Sequence, residues 1–224
     1  MMADFGQGLR CEVNPRARRI SLRLDVADRC VVLVRPKRAS ETLVASFVAG
    51  KRGWIEQQLA TLPEQIAFAD GLILPMLGED RVVRSSPSGR SGVWSDNQTI
   101  FVSGAAEHLP RRLRDWLKAE ARKVFAEWAR DFSECLGVKV TRVSVRDTTS
   151  RWGSCTRDGR LSLSWRLILA PRDVAAYVVA HEVAHLKQLN HSPAFWRVVA
   201  MLVDDLKKPR AWLRRHGASL HRFN

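Results

Sequence analysis

The sequence predicts an α+β protein in two parts: a small β-rich N-terminal unit with a helical insert over residues 1–105, and a helix-led domain over 106–224. Three observations carry this reading. Short apolar runs, separated by Pro, Gly and Asp, fill the first 105 residues around a single helical stretch. Apolar residues then recur at three- and four-residue steps from Pro110 to Leu136. Beyond Gly137, strand-like runs around an Asp-Gly turn give way to two further helical patterns.

Taken in order, Ile20–Leu24 and Cys30–Val34 read as two strands joined by an Asp/Ala turn, with Pro36 closing the second. Ser40 and Glu41 open a helical stretch to about Leu62, broken near Gly50 and Gly53. Leu72–Leu74, Arg81–Val83 and Thr99–Val102 are short strands, with the polar segment Ser85–Gly92 between the last two. Leu113, Trp116, Leu117, Val124, Phe125, Trp128 and Phe132 form the stripe of a long amphipathic helix that Gly137 ends. Val138–Val145 follows as a strand, then a hairpin that turns at Asp158-Gly159 and returns along Leu161–Ile168. Pro171 starts a helix expected to run through Val174, Tyr177, Val178, His181, His185 and Leu189 to Asn190. Ser192-Pro193 is an N-cap and first-turn pair for a last major helix, with Phe195, Val198, Val199 and Leu202 on its apolar side.

The composition excludes several classes. At 224 residues, with 46% hydrophobic and 27% charged residues, the chain can bury a proper core without staples. No apolar run approaches the ~20 residues a membrane helix requires. No secretory signal is visible at the start, so a cytoplasmic protein is expected. Cys11, Cys30, Cys135 and Cys155 are too scattered for a zinc finger or a disulfide framework. The formal charge is +14, and residues 151–224 carry 13 basic against 5 acidic residues, +8 of that excess. Such a basic C-terminal tail is either a solvated surface or a site for an anionic partner such as nucleic acid.

The chemistry concentrates at His181-Glu182-Val183-Ala184-His185. On a helix, residues four apart share one face about 6 Å apart along the axis, so two imidazoles can converge on one zinc ion. Glu182, about 100° round the same turn, is placed to reach a water on the metal as a general base. His191 follows six residues later, and with Asn190 as a left-handed helix end the chain can swing it back as a third ligand. Three histidines leave a coordination position open, the arrangement of a catalytic zinc site.

These residues stand within H-E-V-A-H-L-K-Q-L-N-H-S-P-A-F-W (181–196), preceded by R-W-G-S-C (151–155) and L-S-W-R-L-I-L-A-P (163–171). The combination resembles the YgjP-like family of zinc metallopeptidase-type proteins and is similar, at greater distance, to the SprT-like and WLM metalloproteases. The likeness is dense from about Leu113 to Trp212 and weaker from Arg16 to Leu74. It implies a zincin-like catalytic domain, with Zn2+ held by His181, His185 and His191 and with Glu182 as the catalytic acid/base. A metzincin would have Gly where Gln188 stands.

The resemblance implies peptide or protein hydrolysis through a Glu-activated zinc-bound water; the family has also been labelled a metal-dependent UTP pyrophosphatase. A nucleotide substrate would need cationic clamps, for which Arg151, Arg157, Arg160 and Arg166 are candidates, Arg151 and Arg166 foremost. For a peptide, the strand Leu161–Trp165 is the expected surface on which a substrate backbone pairs. Trp152 and Tyr177 complete the candidate substrate residues, Tyr177 as an oxyanion donor one turn before His181. A third reading, a nucleic-acid-associated SprT-like protease, rests on the basic C-terminal third and the stretch Arg210–Arg215. Cys155 is expected to be a structural thiol and Met201 to pack in the core.

Overall fold

The structure is a computed structural model that describes residues 8–224 apart from 27, 63, 87–91 and 150. The chain divides into two compact units, Met1–Glu64 and Gln65–Asn224. This corrects the boundary expected at residue 105. The strands between 73 and 103 belong with the second unit because Leu74, Met76, Val83, Ile100 and Val102 share one apolar core with the long helix that follows them.

The first unit is a three-stranded sheet and two helices. β1 (Leu9–Val13) pairs parallel with β3 (Cys30–Arg35), and β2 (Ser21–Asp25) pairs antiparallel with β3 from the other side. The two strands expected from the sequence are therefore joined by a third, β1, whose mixed apolar and charged residues give a weaker signal. Val31, Val32 and Leu33 of the central strand are wholly buried, as a strand flanked on both edges requires. α1 (Glu41–Gly50) and α2 (Arg52–Ala60) are the predicted broken helix. Ser40 caps α1 by accepting from the Leu43 N–H at 3.2 Å.

The second unit opens with a four-stranded sheet in the order β4 (Ile73–Met76), β5 (Glu79–Ser86), β7 (Thr99–Ser103), β6 (Val93–Ser95). α3 (Leu109–Leu136) is the long amphipathic helix, and Gly137, at φ 60°, ends it in the left-handed conformation that costs a side chain most. Its buried face is Leu109, Leu113, Leu117, Ala121, Phe125, Trp128 and Ala129. The strand expected from Val138 is shorter, β8 (Arg142–Arg146), and it runs parallel to β10 (Arg160–Ser164). The hairpin closes between β9 (Gly153–Cys155) and β10, so β10 lies in the middle of the order β8-β10-β9. Trp165–Leu169 coils into a 3-10 turn instead of prolonging β10.

Three helices complete the unit: α4 (Arg172–Ala184), α5 (Pro193–Ala200) and α6 (Lys207–His216). α4 is core on nearly every side. It stops six residues earlier than expected, and Asn190 does not adopt the left-handed conformation. Turn bonds from the N–H groups of Leu186, Lys187 and Gln188 unwind the helix, and Asn190 Oδ1 accepts from the Ser192 N–H at 3.3 Å. That Asx turn redirects the chain into α5.

The basic C-terminal stretch is not a free tail. It forms α6 and a 3-10 turn at Gly217–Arg222, with Leu220, His221 and Phe223 buried. Ile66 and Phe68 donate to the carbonyls of Arg222 and Asn224 at 2.8 and 3.0 Å. Met201, expected in the core, is 66% exposed at the end of α5. Among the described residues no helix is long and apolar enough to cross a membrane.

Candidate metal centre

α4 carries His181 and Glu182 in its last turn, and His185 caps its C-terminus. The Asx turn at Asn190 returns His191 to the same place. The three imidazoles each offer a ring nitrogen, and these atoms lie within 4.8 Å of one another. His181 Nε2 and His191 Nε2 are 3.0 Å apart. Two ligand nitrogens on a tetrahedral zinc, with bonds near 2.0–2.1 Å, stand roughly 3.3 Å apart. The donor set therefore fits a zinc ion.

The protein also prepares the donors. His185 Nδ1 lies 3.1 Å from the Gln188 carbonyl; a carbonyl only accepts, so Nδ1 carries the proton and Nε2 keeps a free lone pair. Burial, with the neighbouring His185, His191 and Arg210 adding to it, lowers the His181 pKa to about 4. Burial also lowers that of His185, opposed by the bond to Gln188. Both rings are thus neutral at pH 7, as metal ligands must be. Phe195 of α5, wholly buried, touches all three rings at centroid distances of 4.6–4.8 Å, and Trp196 stacks on His191 at 5.8 Å. The F-W pair that ends the sequence motif is the apolar floor and wall of the histidine cluster.

Glu182 is 7% exposed, and burial pushes its carboxyl up to about 7, with the Arg151 charge pulling it down. A carboxyl near neutrality both accepts and returns a proton at working pH. Its side chain lies on Gly153 of β9, where an added Cβ would come 2.6 Å from Glu182 Cγ and Oε1. Gly153, Ser154 and Cys155 form one wall of an open cleft of about 390 Å³, and the three histidines, Glu182 and Leu189 form the rest. Cys155 is half-buried, and burial, then Glu182 and Asp158, push its thiol up to about 11. It lies outside the cluster of ligand atoms.

The other expected site residues part company. Arg151 is exposed with its charge felt at Glu182. Tyr177 is buried one turn before His181, with ring centres 6.0 Å apart. Trp152 faces the C-terminal turn, 5.5 Å from the His221 ring and against Gly217. Arg166 is not in the cleft. It is 5% exposed, donates to Asp147 Oδ1 at 2.8 Å, and holds the Leu220 and Phe223 carbonyls at 3.1 and 2.7 Å. Its donors are consumed in tying the chain's end to the core. Arg160 is paired with Asp158 at 2.8 Å, so two of the four clamps considered for a triphosphate are engaged elsewhere.

The substrate strand also moves. β10, expected to offer a free edge, is paired on both sides, whereas among the described residues β9 pairs only with β10 and borders the cleft. Sequence reasoning assigns no site role to Gly153 or the Gln188 carbonyl, and it takes Arg210 only as part of the basic stretch Arg210–Arg215. Gly153 left a signal as the glycine of R-W-G-S-C.

The profile of the YgjP-like family, metallopeptidase domain, matches residues 18–216. Among solved structures the chain is similar to the crystal structure of the metallopeptidase zymogen of Pyrococcus abyssi abylysin. The identity is 22% and the TM-score 0.38, over 44% of this chain and 97% of that one. No curated protein matches the sequence.

Proposed function

The chain belongs to the YgjP-like family, metallopeptidase domain, and from that premise we propose that it is a zinc-dependent peptidase acting through Glu182. The observation that carries the reading is the convergence of three imidazoles beside a buried carboxyl in one open cleft. His181, His185 and His191 would hold the metal, with Gln188 and Phe195 fixing their rings. Zinc so held supplies Lewis acidity, polarising a peptide carbonyl and making water a nucleophile near neutral pH. Glu182 takes the proton of the attacking water and hands it to the departing amine. Its poise near neutrality suits both halves of that task. The open edge of β9 pairs with an extended substrate backbone and lays the scissile carbonyl across the histidine cluster. Tyr177 is buried beside His181 and lies outside the lining of the cleft, so it packs behind the ligand rather than meeting substrate.

The test is peptide cleavage by the zinc-loaded protein beside its Glu182→Gln variant, with zinc content measured on both. Cleavage that vanishes in the variant while zinc stays bound supports the reading. Cleavage indifferent to Glu182 removes it.

A further inference from the structure

Arg210 lies on α6, outside the motifs that mark the metal centre in the sequence. Its guanidinium carbon stands 4.6 Å over the centre of the Trp196 ring. Trp196 in turn stacks on His191, with planes 24° apart, and lies 5.7 Å from the His181 ring. An imidazole of the cluster, an indole and a guanidinium thus form one contiguous set. The cation–π contact restrains the guanidinium over the ring and leaves N–H donors available.

No carboxylate among the described residues pairs with Arg210. The contrast within the same helix is plain, since Lys208 is engaged by Asp173 at 3.2 Å. Only the Trp196 ring separates the guanidinium from the His191 imidazole. Arg151 supplies a second exposed cation beside Glu182. A fixed cation placed next to ligands for a divalent cation raises the energy of the empty cleft, and an anion arriving with the substrate relieves it.

We propose that Arg210 is a specificity-determining residue that receives a carboxylate of the substrate, so that the cleft selects acidic peptides. The proposal rests on the peptidase reading and names its substrate class. The fork of a guanidinium matches a carboxylate in two parallel bonds, a geometry that lysine lacks.

The test measures binding, so that it does not depend on turnover. Zinc-loaded Glu182→Gln protein is titrated calorimetrically with hexapeptides in which one Glu is walked along a neutral alanine-based sequence, each against its Gln counterpart. At the best position the Glu peptide binds about tenfold tighter. Adding Arg210→Gln brings that ratio to about one, and Arg210→Glu reverses it in favour of a Lys peptide. Zinc content and circular dichroism are read on every variant. A ratio that survives Arg210→Gln overturns the proposal, as does an equal loss for both peptides, which would mark a structural or oxyanion role. Arg210-dependent binding of a nucleoside triphosphate with no discrimination between the peptides overturns it in favour of a phosphate ligand. If the wild-type protein cleaves no peptide, the peptidase reading falls, and the binding ratio still decides the role of Arg210.

Discussion

Gly153 and Glu182 occupy adjoining space so closely that neither position is independent: a Cβ on Gly153 would stand 2.6 Å from both Cγ and Oε1 of Glu182. The absence of a side chain on β9 lets the edge of the small sheet lie against α4 at the carboxyl that α4 presents. The β9 backbone and the Glu182 carboxyl thereby lie side by side in the lining of the cleft.

Gly153→Ala therefore displaces the Glu182 side chain without touching the histidines. Zinc content is expected to stay at the wild-type level while kcat falls roughly a hundredfold, the cost of misplacing a reacting group by about 1 Å. Activity retained at wild-type level would show that Glu182 tolerates the shift.

His191→Ala removes one of the three converging nitrogens, and His185→Ala removes the one whose tautomer Gln188 holds. Both variants are expected to lose zinc on dialysis against a chelator concentration that leaves the parent loaded, and to lose peptide cleavage with it. Zinc content measured by atomic spectroscopy checks this. Full occupancy in His185→Ala would mean that the ligand set is different.

Arg166→Met leaves Asp147 without its partner and the Leu220 and Phe223 carbonyls without their donor. Removing one member of a buried pair costs roughly 3–5 kcal/mol, and the lower figure applies because Asp147 is 40% exposed. Denaturant unfolding should show a loss of about 3 kcal/mol. A loss under ~0.5 kcal/mol, the usual range for surface changes, would return Arg166 to the list of free cations.

Asp147 also sets a pH dependence. Burial alone would raise its pKa, but the hydrogen bond and charge of Arg166, with smaller help from Trp165 and Lys118, leave it below the ordinary carboxylate value. A group whose pKa is depressed on folding contributes stability above its unfolded pKa, near 3.9, and loses it as pH falls through the folded value. Stability measured from pH 5 downward should therefore decline less steeply in Asp147→Asn than in the parent. Parallel curves would show that Asp147 is not a source of the acid sensitivity.

Nucleoside triphosphates provide a separate check. With Arg166 bound to Asp147 and Arg160 to Asp158, the cleft lacks two of the cations a triphosphate would use. Phosphate and pyrophosphate release by the zinc-loaded protein is expected to stay at background for all four common nucleotides. Release that disappears in Glu182→Gln would make the protein a nucleotide hydrolase.

Local order was legible in the sequence wherever one segment decides its own geometry. The stripe from Leu113 to Phe132 specifies α3 because apolar side chains at three- and four-residue steps can share a face in one conformation only, and Gly137 ends it because the left-handed cap asks for no side chain. The spacing of His181 and His185 places two imidazoles on one helix face by the same arithmetic. β1 was less visible because its partner β3 lies beyond β2 in the chain, and β6 because it is only three residues long.

The sequence by itself determined the histidine cluster with its adjacent carboxylate, the long helix and the mixed α and β character, all properties of short-range periodicity. Tertiary structure alone decided which strand of the small sheet kept an open edge and which arginines kept their charge uncommitted. Strand pairing and ion pairing are settled between residues far apart in the chain. Arg166 is consumed by Asp147 and by carbonyls more than fifty residues away, whereas Arg210, beside Trp196, meets no acid among the described residues. A guanidinium reads the same in sequence in either case, because its role is set by which distant groups the fold brings to it.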